Sequence, residues 1–462
     1  MSGQRTQVLV AGGGLVGLTT ALVLRHHDVE VTLLERRAST SPQPKARRFH
    51  VRTMEIFREL GLAGLVHEAA RELAGHDHMA AGRTLAEATQ LPLWQPSGDV
   101  PEVSPEPPCL VAQDVLEPVL RKAAVEAGAD VRFGTELLGF DQDSDGVTGK
   151  LADGEIRADY LVAADGARSG IRESLGITRS GRGAVGEPSV NVYFRADLAE
   201  VVRGREFNLC QIDHPDASGA LASVDGRRRW VFMAAGGETE RDWPTVLRTA
   251  LGVPVPDLEI LSVLGWQAEM LVADRYSAGR VHLVGDAAHV MPPFAASGAN
   301  TGIADAHNLG WKLAAVLRGE AAPTLLDSYD TERRPAGWFA ADQSARRADT
   351  FRVGTEDPTL AHPFVLAAGG FQYPAGALVP DGSVEPVTEF APAGRVGTRV
   401  PHRWLDEART RSTLDLAGPE WTVTEYEGEW LLLRPDQVVA WRGASAEEAE
   451  SVRAALLAGT LP

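Results

Sequence analysis

Short apolar runs alternate with segments of helical period through the first third of the chain, a pattern that predicts buried parallel strands joined by helices. Gln7 to Ala11 is one such run. A helix follows with Leu18, Ala21, Leu22 and Leu24 on one face, then a second run from Val29 to Leu34. Arg52 to Leu60 reads as a helix stopped by Gly61, and Val115 to Glu126 as another, with Val115, Leu116, Val119, Leu120 and Ala123 on one side. From Val131 to Asp159 the alternation around Ser144-Asp145-Gly146 and Ala152-Asp153-Gly154 predicts a small meander of strands. Tyr160 to Ala164 and Val281 to Val284 are two more buried runs. A long helix begins near Asn300, with Ile303, Ala306, Leu309, Leu313, Val316 and Leu317 at helical spacing. Tyr329 to Arg347 continues helical, with a kink or break expected at Pro335.

The period changes from about residue 187. Val190, Val192 and Phe194 alternate with Asn191, Tyr193 and Arg195, and Asp225-Gly226 marks a hairpin, so an antiparallel sheet is inserted between the parallel-strand elements, as a lid over a ligand pocket would be. Residues 350 to 395 hold many prolines and glycines and read as a crossing linker. Beyond them, strands are predicted at Trp421 to Tyr426, Trp430 to Arg434 and Val438 to Arg442, and Ser445-x-x-Glu448 forms a capping box for a terminal helix.

A chain of 462 residues exceeds one ordinary core, so two or three domains are expected. A formal charge of −18, from 45 basic and 63 acidic residues, argues against a nucleic-acid partner. No run of 18 apolar residues and no leader pattern occurs, which predicts a cytoplasmic protein without a membrane partner. Cys109 and Cys210, the two cysteines, are too few and too far apart for a zinc site or a disulfide framework. His76 and His78 lie in a stretch rich in proline and polar groups, 74 to 108, and read as solvated side chains; no metal is expected.

Candidate chemistry sits where apolar runs end. Gly12-Gly13-Gly14-Leu15-Val16-Gly17 is G-x-G-x-x-G between a strand and a helix, and Glu35 closes the next strand 18 residues past Gly17. Gly12 suits the turn, Gly14 the close approach of a pyrophosphate, and Gly17 the packing of helix on strand, while Glu35 can accept hydrogen bonds from an adenosine ribose. This context predicts dinucleotide binding. Asp165 and Asp286 each close another buried run, the place where open α/β sheets bind ligands. Lys45-Ala46-Arg47-Arg48 is a basic cluster that can touch a pyrophosphate or a substrate acid, although arginines beside a helix start are more often surface charge. Gln113 falls at the N-cap region of its helix.

The glycine loop, Asp165-Gly166 and Gly285-Asp286, in that order and spacing, resemble the group A flavoprotein monooxygenases, the p-hydroxybenzoate hydroxylase family, over roughly residues 5 to 345. Ala273-Asp274-Arg275-Tyr276 and Gly302 to Lys312 are similar to the branch that hydroxylates aromatic polyketides. The tail resembles the thioredoxin-like domain of that branch, on Gly394 to Leu405 and Leu433 to Trp441, without Cys-x-x-Cys. The resemblance implies an α/β fold: a Rossmann-like FAD-binding domain (1–75, 101–180 and 268–350), an inserted antiparallel β-sheet substrate domain (76–100 and 181–267), a linker (351–390) and a small thioredoxin-like C-terminal domain (391–462). It also implies FAD lying extended, with Gly12, Gly14 and Gly17 at its pyrophosphate, Glu35 at its adenosine ribose, and Val16, Arg36 and Lys45 as further cofactor-binding residues. Gln113 and Asp286 are then expected at the ribityl region, Asp165 at both the flavin and the incoming nicotinamide cofactor, and Pro293, Gly298, Ala299 and Asn300 at the isoalloxazine. The sequence departs from the family at Lys45, usually arginine, and at Phe294-Ala295-Ala296, usually richer in glycine. Lysine keeps the charge but loses the bidentate fork, and Phe294 is expected to narrow the cavity.

The function implied is NADPH- or NADH- and O2-dependent hydroxylation of a phenolic, polycyclic aromatic through a flavin C4a-hydroperoxide, by a monomer or homodimer. Oxygen insertion beside a ketone, dehydrogenation and a non-catalytic FAD-binding accessory role are the rivals. Flavin halogenation is set aside because no Trp-x-Trp-x-Ile-Pro occurs. No residue is singled out as the catalytic base; Tyr193, His214 and Glu269 are candidates by position, and Tyr193, His214 and Phe294 are the expected substrate contacts.

Overall fold

The computed structural model describes residues 4–92, 102–350, 360–382, 390 and 392–460. The apolar runs form one parallel sheet in the order Val281–Leu283, Gly154–Ala163, Gln4–Ala11, Val31–Glu35, Asp130–Phe133, with Leu9 paired to Leu161 on one side and Thr32 on the other. Val8, Leu9 and Val10 have no exposed surface, because the helices Leu15–His26 and Gln113–Glu126 pack on one side of the sheet and the antiparallel strands around Val147 and Gly149, which meets Leu9, cover the other. The expected meander is present: Gly139–Gln142 and Val147–Leu151 pair antiparallel with each other, and the latter pairs with the start of Gly154–Ala163.

The inserted sheet has seven strands, ordered Glu259–Trp266, Ser189–Arg195, Arg229–Ala235, Gly219–Ser223, Leu209–Ile212, Met79–Gly82 and Thr89–Gln90. Its apolar face, with Val190, Val192, Phe194 and Phe232, packs under Trp243–Leu251, and the opposite face carries Asn191 and Met233 toward the parallel-sheet half. The early strand Met79–Gly82 corrects the reading of His76 and His78 as solvated. Its pairing draws the flanking chain inward, so His76 is buried and His78 half-buried, with Nδ1 of each ring on a backbone carbonyl, Ala74 and Leu91 respectively. Among the described residues, no group of three or more His, Cys, Asp or Glu side chains is placed to hold a metal ion, and no helix is long and apolar enough to cross a membrane.

The helix Ser297–Leu317 runs behind the parallel sheet, starting three residues before Asn300. Asp327–Thr350 packs on it and passes through Pro335 without a break. A proline removes one hydrogen bond, but here Glu332 and Arg333, just before it, are fixed by buried ion pairs that hold the axis. The segment expected as a linker is packed where described: Tyr373 and Leu378 belong to the core that includes Leu431, Leu432 and Leu433. The tail forms a three-stranded antiparallel sheet, Thr422–Tyr426, Glu429–Leu433 and Val439–Gly443, covered by the helix Ala446–Ala458. Of the capping box, the Ser445 half is made: its hydroxyl accepts the Glu448 amide.

A buried charge cluster fastens tail to body. Glu332 accepts Lys312 Nζ at 2.8 Å and Arg434 Nη1 and Nη2 at 2.8 Å each, with no side-chain exposure in any of the three. The same carboxylate takes Asn308 Nδ2 at 2.7 Å and the Ala377 amide at 2.8 Å. Burial lowers the Lys312 pKa to about 8, while the Glu332 charge pulls it upward. Removing one member of such a set strands the others, at a cost of about 3–5 kcal/mol. Glu332→Ala is therefore expected to destabilise the fold by that amount in urea denaturation; a loss under about 1 kcal/mol would show that water reaches the cations and that the cluster does not hold the tail.

Candidate functional site

A single cavity of about 2420 Å³ runs from the glycine loop to the inner face of the inserted sheet. Ligand pockets are typically about 300–1,000 Å³, so there is room for an extended dinucleotide and a ring system together.

At one end the backbone is shaped by glycine. Gly12 has φ +113°, and a Cβ there would stand 2.2 Å from the Ala164 oxygen; at Gly17 it would stand 1.9 Å from the Gly12 oxygen, so loop, helix and the Asp165 strand end close on one another. Gly14 differs, since its Cβ would meet only Glu117 Oε1, at 3.7 Å. That leaves the cavity side open above the first turn of Leu15–His26, whose leading N–H groups have no intrahelical partner. This cradle fits a pyrophosphate. Gly12, Gly14, Val16, Glu35, Arg36 and Lys45 line the cavity, while Gly17 packs behind it. Glu35 braces the loop, its Oε2 accepting the Gly13 amide at 2.8 Å and its Oε1 the Arg37 amide at 2.9 Å.

A second carboxylate under the loop escaped sequence reading. Glu117 is buried, and its Oε1 accepts the Leu15 amide at 3.1 Å and Gln113 Nε2 at 2.6 Å, while Oε2 accepts the Ser41 amide at 3.0 Å. Its signal was spacing: it lies one helical turn past Gln113 on the same face. Gln113 is therefore no simple cap; its Oε1 accepts the Ala46 amide at 3.2 Å and ties the basic segment to this helix.

The middle of the cavity is bordered by Asp165, Asp286, Pro293, Phe294, Gly298 and Ala299. Asp286 lies deep in the molecule yet opens onto the cavity; burial raises its pKa, with His289 and Lys45 opposing. Asp165 Oδ2 accepts the Ile171 amide at 3.2 Å, and its Oδ1 is buried without a partner in the protein, so burial raises this carboxyl as well. The turn carrying Asp286 is set by Asp305, whose Oδ2 accepts the Gly285 amide at 3.1 Å and pairs with His289 Nε2 at 2.7 Å, while Oδ1 takes Arg333 Nε at 2.8 Å. Burial alone would raise Asp305; His289 and Arg333 hold it below the usual carboxylate value. Asn300 does not reach the wall. Its Nδ2 donates to the Ala296 and Arg48 carbonyls, and its Oδ1 accepts the His50 amide and the Thr53 hydroxyl.

The far end is the sheet, with Leu209, Ala222, Val231, Met233 and Trp266 supplying apolar surface and Asn191 and Asn208 polar atoms. Trp266 Nε1 donates to Asn191 Oδ1 at 2.9 Å; because the indole only donates, the Asn191 amide nitrogen is left for the cavity. Tyr193, His214 and Glu269 are absent from this wall. Tyr193 shares a strand face with Asn191 but is buried two positions on, in a cluster with Ala112, Ala222 and Val231. His214 lies beyond the strand Leu209–Ile212, its Nδ1 accepting the Asp216 amide, and Glu269 opens an exposed strand end. Phe294 does line the cavity, half-buried, and Pro363 and Phe364 from the expected linker stand on the same wall.

Arg47 corrects the surface-charge reading. It is half-buried, lines the cavity and reaches across to the sheet, where Nη1 donates to Asn208 Oδ1 at 3.0 Å, the Asn208 carbonyl at 3.1 Å and the Ser223 carbonyl at 2.7 Å. Burial lowers its pKa to about 10, with no carboxylate near enough to offset this, so the cavity holds an arginine cation not neutralised by an acid.

The family model of the FAD binding domain matches residues 5–344. A putative polyketide hydroxylase of Streptomyces halstedii is 43% identical over 443 residues, 89% of this chain and 79% of its own. The aklavinone 12-hydroxylase of Streptomyces peucetius is 39% identical over 471 residues, 95% of each chain. Among solved structures, the ternary complex of aklavinone-11 hydroxylase with FAD and aklavinone superposes with a TM-score of 0.86 at 32% identity, covering 99% of both chains. The flavin-dependent monooxygenase PieE, in complex with FAD and substrate, gives 0.84 at 29% identity over 99% of both.

Gly14→Ala separates the cradle from the fold. Gly14 has φ −79° and a β-region ψ that alanine adopts freely, so stability is expected to change by about 1 kcal/mol or less. FAD affinity, measured by quenching of flavin fluorescence, is expected to fall at least about tenfold, because the methyl occupies the approach of the pyrophosphate; unaltered affinity would remove Gly14 from the site.

Proposed function

Since the chain belongs to the FAD-binding family of flavoprotein monooxygenases that includes the polyketide hydroxylases, and is an FAD-dependent monooxygenase, we propose that it hydroxylates a phenolic, polycyclic aromatic intermediate of natural-product biosynthesis, using NADPH or NADH and O2. Bound FAD supplies the redox chemistry, accepting hydride from the nicotinamide and activating dioxygen. The protein binds, orients and excludes water. In this reading Gly12, Gly14 and the first turn of Leu15–His26 hold the pyrophosphate, Glu35 and Arg36 the adenosine ribose, Gln113 and Asp286 the ribityl chain, and Pro293, Gly298 and Ala299 border the ring system.

The observation that carries the substrate class is the far wall, a β-sheet face that is apolar except for Ser189, the Asn191 amide, Asn208 and the Arg47 cation. A fused aromatic can lie along Val231, Met233 and Trp266, and a phenolic oxygen can be held by Arg47. Among the described residues, the strands themselves put no carboxylate or imidazole on this wall; Glu187, just before Ser189–Arg195, lines the cavity at its edge with an exposed side chain. Ionisation of the phenol, which makes the ring carbon more electron-rich, is then favoured by the field of Arg47 without a base on the sheet.

Purified protein is expected to carry FAD and to be reduced faster under anaerobic NADPH or NADH when the matching polyphenol is present; in air the product gains one oxygen atom. Bound FAD with no response across a panel of polyphenols would favour the accessory role. Arg47→Met is expected to keep FAD while raising KM about tenfold to a hundredfold, the loss of a hydrogen bond to a charged group, with kcat less affected. An unchanged KM would move the phenolic oxygen elsewhere.

A further inference from the structure

Between Pro293 and Gly298 the chain takes an unusual course. Ala295 (φ 58°, ψ 16°) and Ala296 (φ 52°, ψ 29°) are successive non-glycine residues in the left-handed region, a conformation that costs about 1–2 kcal/mol for each L-residue. Such a turn persists only where its surroundings impose it.

Three successive carbonyls of this turn are each held by a side chain from a different element. Phe294 O accepts Ser344 Oγ at 3.1 Å, from the helix Asp327–Thr350. Ala295 O accepts His50 Nε2 at 2.9 Å, from the residue that precedes Val51–Glu59. Ala296 O accepts Asn300 Nδ2 at 2.6 Å, from the helix the turn leads into. A carbonyl cannot donate, so His50 carries its proton on Nε2, and its buried Nδ1 has no partner. Burial and the nearby Arg48 lower the ring's pKa to about 4, so this donor is neutral at ordinary pH. Asn300 is itself anchored by the His50 amide, the Thr53 hydroxyl and the Arg48 carbonyl, so two of the three clamps support each other. Phe294, Ala295 and Ala296 line the cavity, followed at once by Gly298 and Ala299, where the leading amides of Ser297–Leu317 lack intrahelical partners.

We propose that Ser344, His50 and Asn300 are positioning residues that hold the turn Phe294–Ala296, left-handed at Ala295 and Ala296, and thereby fix how the amino end of the helix meets the FAD ring. This rests on the FAD reading above. A helix amino end stabilises negative charge, so its placement bears more on the reduced, anionic flavin than on the oxidised one. The clamp should therefore show in the relative affinity for the two redox states more than in the affinity for oxidised FAD.

The test compares His50→Leu and Ser344→Ala with His50→Gln, which keeps a donor near the position of Nε2, and repeats His50→Leu with Ala295→Gly and Ala296→Gly, since glycine adopts the turn without steric cost. Midpoint potentials against a reference dye and FAD dissociation constants from fluorescence are the readouts. His50→Leu is expected to lower the ratio of reduced to oxidised FAD affinity about twofold to thirtyfold, the range of a helix-terminus charge interaction. Ser344→Ala should shift it in the same direction by less, His50→Gln should restore it, and the glycine background should shrink the His50→Leu effect. Wild-type potentials in both His50→Leu and Ser344→Ala would overturn the clamp while leaving the FAD reading intact. A His50→Leu shift of equal size in the alanine and glycine backgrounds would also overturn it, because the effect would not pass through the turn. Failure of the wild-type protein to take up FAD would overturn the FAD reading and the clamp with it.

Discussion

The helix Ser297–Leu317 is enclosed on nearly all sides and yet carries, beyond Ser297 at its start, five buried polar side chains, Asn300, Asp305, His307, Asn308 and Lys312. Each would cost several kcal/mol if left without partners. Their partners come from distant parts of the chain: residues 48 to 53 for Asn300, the Gly285 turn, His289 and Arg333 for Asp305, Glu59 for His307, and Glu332 with Asp436 for Asn308. Lys312 shares Glu332 with Arg434. Satisfying these groups fixes where the helix begins. Its beginning is where the cavity meets Asp286, Pro293 and the left-handed turn.

That constraint explains what could be read from the sequence. The apolar stripe Ile303, Ala306, Leu309, Leu313 is a local signal, and it found the helix. The glycine loop was legible for the same reason, because Gly12, Gly14 and Gly17 act within one strand, turn and helix. Asp165 and Asp286 were legible as carboxylates closing buried strands. Glu117, His50 and Ser344 were not, since each acts by meeting a backbone atom from 50 to 245 residues away, and no periodicity reports such a meeting. Tyr193 shows the converse: strand alternation placed it correctly on the Asn191 face, but could not say how far along the strand the cavity extends.

The two halves of the cavity are held by different forces. The nucleotide half rests on charge and hydrogen bonds in a buried setting, Glu35 and Glu117 under the glycine loop and Asp305 under the Asp286 turn. These are directional, and small displacements lose them. The sheet half rests on apolar packing behind Val190, Val192 and Phe232, which tolerates changes of side chain of similar volume. A fold arranged in this way can keep one cofactor geometry while its sheet surface varies to suit different ring systems.

The tail belongs to the first of these halves in its energetics. Arg434 and Asp436 close the cluster around Glu332, while Gln437, in a left-handed conformation at φ 64°, donates to Glu59, the acid that pairs with His307. Arg52 donates to the Asp436 carbonyl from the helix that follows His50. Without these contacts Lys312 would face Glu332 alone, Asn308 would lose one acceptor, and Arg52 would be left beside Arg399 with Glu55 as their shared acid. A segment with no cysteine can thus contribute to the cavity by completing the hydrogen bonds of the helix at whose start that cavity lies.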